Sequence, residues 1–368
     1  MADSATPLNS GPDRAYDRPY DPARIRLHVV TGKGGTGKTT VAAALALALA
    51  AGGRRTLLCE VEGRQGIAQL FEVPQLPYEE RKIAVAPDGG EVFALAIEPK
   101  AALLEYLELF YRMGRAGKVL ERVGAVDFAT TVAPGLRDVL LTGKVYEAAR
   151  RRRSSGRVYD AVVLDAPPTG RVTRFLNVNE EVADLAKVGP VRNQASSIMT
   201  LLRSPQTAIH IVSVLEEMPV QETQDAAAEL RAVGLPLGFV VVNMVREPVL
   251  AAADLELAAA GRIERPQVLA GLQAAGLVNR GVTRGVNRGG GRRPGGGSSV
   301  EDAWLDRLAD GLIAEGTDHA LRVQLEQEER SDLAGIGRPM AELPALPVGI
   351  DLGALYDLAE MLAEQGVA

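Results

Sequence analysis

The chain has 368 residues, of which 46% are hydrophobic and 24% charged, and it carries a net charge of −6. This suits a globular protein with a sizeable core, in one large α/β domain or two smaller ones, and the acidic balance argues against a general nucleic-acid binder. The lone cysteine, Cys59, excludes an intramolecular disulfide and any cysteine-based metal site within one chain. No N-terminal hydrophobic signal core is apparent, so the cytoplasm is the expected location.

Residues 1–22 are rich in Asp, Pro, Ser, Arg and Tyr without apolar period, which predicts a disordered arm before a folded domain spanning 23–368. The apolar run Ile25 to Val30 reads as a buried strand, and Val41 to Leu47 as a helix. Between them lies Gly32-Lys33-Gly34-Gly35-Thr36-Gly37-Lys38-Thr39-Thr40, which satisfies the phosphate-binding pattern G-x-x-x-x-G-K-[ST]. Strand, glycine loop and helix N-terminus together aim backbone N–H groups at an anion. The segment Gly34 to Thr40 is therefore the expected phosphate cradle. Lys38 supplies a positive charge to the β and γ phosphates, and the Thr39 hydroxyl is placed to ligate Mg²⁺.

Further strands are expected at Arg55 to Val61, Val92 to Ile97, Arg157 to Asp165, Ala208 to Val214, Gly238 to Asn243 and Met340 to Leu343. Leu103, Leu104, Leu107 and Tyr111 fall at helix-face spacing, so about 100–155 reads as a helical insertion, with a second mainly helical stretch at 178–204. Helices are also expected at Gln221 to Val233, Ala303 to about Leu333, and Leu352 to Glu364. Continuous apolar strands alternating with helices predict a mostly parallel sheet covered on both faces, the α/β fold of a P-loop nucleoside triphosphatase. Residues 281–299, with Arg284, Arg288, Arg292 and Arg293 in a glycine background, predict a flexible surface loop; the absence of aromatic residues disfavours an RNA-binding reading. The arginine run Arg150 to Arg153 reads most simply as a helix C-terminal cap, with anionic lipid contact as the alternative.

Asp165 ends an apolar strand, where ligands bind in open α/β sheets, and fits the role of holding Mg²⁺ beside a nucleotide. With the second lysine, Lys33, the loop resembles the deviant Walker A motif of the ParA, MinD, nitrogenase-iron-protein and arsenite-pump ATPases. The run Asp165-Ala-Pro-Pro-Thr-Gly-Arg-Val-Thr-Arg174 resembles the D-T-A-P-T-G-H-T-L-R segment of the arsenite-pump (ArsA-type) and guided-entry ATPases, and the resemblance extends from about Ile25 onward. It implies a dimeric ATPase that uses ATP or ADP with Mg²⁺. In such a pair Lys33 reaches the partner's nucleotide, Gly170 senses the γ-phosphate through its amide, and Asn243 contacts adenine. Arg171 stands where the family has histidine. Alignment of strand ends places Glu62 opposite the aspartate that positions the attacking water. A carboxylate one methylene longer allows slow or partner-dependent hydrolysis, since positioning is sensitive to errors of ~1 Å. Glu62 also reads as an ordinary surface acid, and Lys33 as a solvated loop lysine.

Pro134 to Asp138 resembles the family's P-G-hydrophobic-x-E element, and Leu343 to Pro347 its C-terminal proline loop. Glu222 and Thr223 match the family's E-T pair, with no chemistry assigned. The zinc clasp of the guided-entry members, a C-x-x-C motif, is absent. The resemblance implies a homodimer, or a heterodimer with a paralogous ATPase, acting on a client or membrane partner in the cytoplasm or at the inner face of the membrane. The competing function is a non-catalytic nucleotide-binding partner that regulates a paralogue. A DNA-acting, ParA-like role is disfavoured by the acidic balance and by the Asp165 segment.

Overall fold

The computed structural model describes residues 19–111, 134–154, 156–185, 190–277, 300–347 and 349–368. The loop expected at 281–299 and all but the last four residues of the expected arm lie outside the described residues. The chain divides into two compact units, one made by the residues up to Val245 together with Ser331–Ala368, the other by Arg246–Arg330.

The first unit holds an eight-stranded sheet built from β1 (Leu27–Gly32), β2 (Arg55–Glu60), β3 (Arg81–Val85), β4 (Glu91–Ala96), β7 (Ala161–Asp165), β8 (Thr207–Ser213), β9 (Leu237–Val245) and β10 (Met340–Pro344). The order across the sheet is β10-β9-β8-β1-β7-β2-β4-β3. Every pairing is parallel except that of β3 with β4. A two-residue hairpin, β5 (Arg152–Arg153) with β6 (Gly156–Arg157), stands apart. Its last residue, Arg157, is the first of the stretch expected to be one strand to Asp165, of which β7 takes Ala161–Asp165. The arginines of 150–153 are thus split between a helix end and this hairpin.

Each central strand is covered on both faces, so its apolar run is continuous, and successive residues feed different layers. Leu27 and Val29, Leu57 and Cys59, and Val162 and Leu164 face one core; Val30, Leu58 and Val163 face the other. The first core is closed by α4 (Pro134–Arg150), α5 (Thr169–Leu185), α6 (Pro190–Leu202) and α7 (Glu217–Ala232). The second is closed by α1 (Lys38–Ala50) and α11 (Leu352–Glu364), which pack against each other. Eleven of the thirteen residues of α1 are buried. Its alanines let the sheet and α11 approach closely on opposite sides.

Two further helices are α2 (Gly66–Leu70), after β2, and α3 (Pro99–Tyr111), which opens the expected insertion and packs on α4. A charged network ties α3 and α4 to the segment that leads into the edge strand β3. Arg151 binds Glu147 through Nε and Nη2 at 2.6 Å each, and Glu80 at 2.8 Å. Lys144 binds Glu105 at 2.7 Å, while Tyr78 and Tyr159 donate to Glu105 and Glu80.

Two histidines are fully buried in the sheet. Their rings stack with centroids 5.4 Å apart, and His28 Nδ1 lies 3.1 Å from His210 Nε2. The Phe239 N–H donates to His210 Nδ1 at 3.2 Å, which assigns the His210 proton to Nε2 and makes His28 Nδ1 the acceptor. The His28 proton then sits on Nε2, which has no hydrogen-bond partner. Gly238 is required beneath this pair, since a Cβ there would lie 2.8 Å from the His210 ring.

The second unit contains α8 (Ala252–Ala259), α9 (Arg265–Ala274) and most of α10 (Val300–Ala334). Within it, Arg265 pairs with Asp306 at 3.6 Å and with Asp310, and the Val249 N–H donates to His319 Nε2 at 3.1 Å.

Candidate functional site

The site lies at the carboxyl ends of β1, β7 and β2, where an open α/β sheet offers its crevice. β1 delivers the glycine loop, and α1 begins within it at Lys38. Gly37 has φ +85°, and a Cβ on it would lie 2.3 Å from Asn243 Nδ2; a Cβ on Gly32 would lie 2.2 Å from the Val212 carbonyl oxygen. The loop closes on itself through the Thr36 hydroxyl, which donates to the Lys33 carbonyl at 2.9 Å. Lys38 Nζ donates to the same carbonyl at 3.2 Å. Gly34 and Gly35 are exposed, and Thr40 is half-buried in the first turn of α1. Burial lowers the pKa of Lys38, while Asp165 and Glu62 act in the opposite sense and Arg64 adds to the lowering.

The end of β7 places Asp165 beside the loop, where its Oδ2 accepts from the Thr39 hydroxyl at 2.7 Å. Burial pushes Asp165 up to about 6, against the Thr39 hydrogen bond and the charge of Lys38; Glu60 and Glu62 push the same way as burial. Thr31 at the end of β1 donates to the Pro167 carbonyl at 2.7 Å and ties the segment after Asp165 to the phosphate loop. Gly170 is exposed in the first turn of α5, where helix N–H groups are free.

The segment after β2 also lies against the loop, since a Cβ on Gly66 would come 3.2 Å from Thr39 Cγ2. Glu62 is mostly buried, and both of its oxygens face guanidinium groups: Oε2 lies 3.5 Å from Arg64 and Oε1 3.8 Å from Arg171. These residues, with Arg137 and Asp138 of the insertion, line a cavity of about 230 Å³. Burial raises the pKa of Asp138, opposed by Arg171, Arg137 and Arg174.

Lys33 points to its own chain, with Nζ 2.8 Å from Glu222 Oε1. Glu222 Oε2 accepts from the buried Thr169 hydroxyl at 3.2 Å. Sequence reasoning gave Glu222 no chemistry, yet it joins the second lysine to the segment after Asp165. Its position in an E-T pair after β8 was the available signal. Asn243 is buried and donates from Nδ2 to the Thr36 carbonyl at 2.9 Å. It braces the glycine loop from β9, a contact that strand-end reasoning did not foresee. Met244 beside it has φ +59°, a left-handed conformation without a sequence signal. β10 continues into the expected proline segment, where the Ala345 N–H donates to the Val245 carbonyl at 2.8 Å.

The donor set suits a hard divalent cation held jointly with phosphate. It offers a hydroxyl and a carboxylate, and among the described residues no group of three or more His, Cys, Asp or Glu could hold a metal without the nucleotide. Glu60, the register partner of Asp165 on β2, is buried with its Oε2 unpartnered.

A glycine loop closed by its own hydrogen bonds, a buried lysine in it, and a contact between the threonine that follows and an aspartate at the end of a parallel strand define a P-loop nucleotide-binding protein. The family model described as anion-transporting ATPase (ArsA_ATPase) matches residues 25–204. The chain is 52% identical over 344 residues to ATPase BagA of Mycobacterium tuberculosis, covering 93% of this chain and 94% of that protein. It is 25% identical over 264 residues to a putative arsenical pump-driving ATPase of Chlorobaculum tepidum, covering 60% and 61% of the two chains. Against the arsenical pump-driving ATPase of Escherichia coli it is 29% identical over 273 residues, 67% of this chain and 44% of that one. The chain belongs to the ArsA-type ATPase family.

Proposed function

We propose that the chain hydrolyses ATP with Mg²⁺ as a nucleotide-gated dimer, and that its nucleotide state governs a client or membrane partner through the helical insertion. The observation that carries the reading is the contact of Thr39 with Asp165 beside the buried Lys38, with Glu62 near enough to act on both charges. Lys38 neutralises the β and γ phosphates, and the loop N–H groups hold them. When bound, Mg²⁺ supplies charge neutralisation at the phosphate oxygens, with Thr39 and Asp165 as its protein partners. Glu62 orients the attacking water once one of its two guanidinium neighbours withdraws. Gly170 offers its amide to the γ-phosphate, and Asn243, which already braces the loop, meets the adenine.

Lys33 completes the partner's site. Its pairing with Glu222 of its own chain is the arrangement expected of a trans lysine that has no partner site to engage. Catalysis by an added cation in trans is worth roughly 10³-fold or more in related chemistry. The partner is a second copy or a paralogous ATPase, and the altered Glu62 and Arg171 positions suit one half of an asymmetric pair. No helix of the described residues is long and apolar enough to cross a membrane. Arsenite sensing through cysteine is not part of the proposal, since Cys59 is fully buried in the core and burial raises its thiol pKa far above the usual range.

The test is ATP turnover with sedimentation in a non-hydrolysable ATP analogue, with and without a paralogue. Glu62→Gln should bind nucleotide and turn over at least tenfold more slowly, since it keeps shape and removes the water-orienting charge. A strictly monomeric chain whose turnover survives that change defeats the proposal. A second reading, a non-catalytic regulatory partner, is favoured by the two guanidinium groups covering Glu62. Nucleotide binding with no turnover, alone or mixed with a paralogue, would select it.

A further inference from the structure

Glu60 is a buried acid that the nucleotide chemistry above does not use. It is 3% exposed, forms no ion pair among the described residues, and its Oε2 is buried without a partner. A carboxylate removed from water and left unpaired is strongly unfavourable, so such a group in a native fold calls for a ligand.

Its placement says which ligand. Glu60 ends β2 directly beside Asp165 at the end of β7, in parallel register. Neighbouring register partners share a face of the sheet, and alternation along both strands confirms the face. Leu58 and Val163, two residues back on each strand, both enter the core closed by α1. Glu60 therefore points to the side that carries Thr39, whose hydroxyl already meets Asp165. The charges agree, since Glu60 adds to the push on Asp165, with Lys38 acting against it. Two buried acids end adjacent strands, and Lys38 is the cation that acts on Asp165; the phosphates of a nucleotide would add further negative charge to the same place. A divalent cation resolves this excess.

We infer that Glu60 is a second metal-facing carboxylate of the nucleotide site, acting with Asp165 and Thr39 on the cation that arrives with the nucleotide. This rests on the nucleotide-site reading above. A second carboxylate strengthens metal binding and favours a cation that tolerates several oxygen ligands. It also makes metal-free nucleotide an unwelcome ligand, because the phosphates then meet two unscreened acids.

The test is the sign of one substitution under two conditions. With ADP bound, Mn²⁺ affinity is read by electron paramagnetic resonance; ADP affinity in excess chelator is read by calorimetry at about pH 8. Glu60→Gln should weaken Mn²⁺ binding roughly tenfold, in the range seen when groups supporting a metal site are removed. It should tighten metal-free ADP binding roughly threefold, since one repelling charge beside the phosphates is gone. Glu60→Asp should recover part of the Mn²⁺ affinity. A merely structural residue would weaken both affinities, and that outcome, or unchanged Mn²⁺ affinity, overturns the inference. Wild-type protein that binds no ADP under either condition instead overturns the nucleotide-site reading beneath it.

Discussion

Acid should unfold this protein through His28 and His210. Both are fully buried and neutral. Burial holds His28 well below its ordinary value, helped by His210 and Arg54, and pushes His210 down to about 3, helped by Arg338. In the unfolded chain each titrates near 6.5. The folded state therefore binds fewer protons, and stability present above about pH 6.5 is lost as the pH falls toward the folded values. Between about pH 7.5 and pH 5 the shift of His210 costs about 2 kcal/mol, and His28 acts in the same direction. Asp165 works the other way. With its folded value raised to about 6 from 3.8, it contributes about 1 kcal/mol more stability at the acid end. The two histidines outweigh it, and the net expectation is a loss of stability toward acid. Urea midpoints across this range measure it. His28→Gln isolates the cause, because the slope of stability against pH below about 6 should fall by one proton, about 1.4 kcal/mol per pH unit, whatever the variant's absolute stability. Equal slopes in wild type and variant would refute the reasoning, since His28 would then be protonated within the fold.

Three further outcomes are expected. Lys33→Ala should retain ATP binding measured by calorimetry but lose most turnover, with about 10³-fold as the scale of a missing trans cation; full turnover after the change removes the lysine from the chemistry. Gly37→Ala should abolish nucleotide binding and cost at least about 1–2 kcal/mol in urea unfolding, because φ +85° disfavours any Cβ and Asn243 Nδ2 would lie 2.3 Å from it. Arg151→Ala should cost about 2 kcal/mol, less than a fully buried pair would, because Arg151 is a quarter exposed; a thermal melt with unchanged Tm would show that Glu80 and Glu147 need no counter-charge.

The parts of the fold legible in the sequence are those governed by continuous burial. β1, β2, β4, β8 and β9 lie where apolar runs placed them, because strands covered on both faces leave no other pattern, while β10, at the other edge, alternates buried and half-buried residues. β3 escaped notice because it is an edge strand. Arg81, Lys82 and Val85 are exposed, and edge strands carry such charges to deter pairing with other chains. The phosphate loop was legible because its glycines and lysine are bound to a fixed spacing. The contacts that organise the site were not, since Glu222 with Lys33 and Asn243 with Thr36 join residues far apart in the chain. Pairings of that kind depend on sheet order, which no local pattern encodes. The division at residues 246–330 was hidden for a similar reason, as the helical periodicity within it resembles that of the first unit.

The burial of α1 has a mechanical consequence. A helix enclosed by a sheet on one side and α11 on the other has no free face along which to roll or slide. The phosphate loop is therefore held on a fixed mount. Movement on nucleotide exchange is expected instead in the segments after β2 and β7, which carry Glu62 and Gly170, with α5 continuing the second of them. Enlarging an alanine of α1 should disturb the mount itself, whereas changes in those two segments should alter how far they swing.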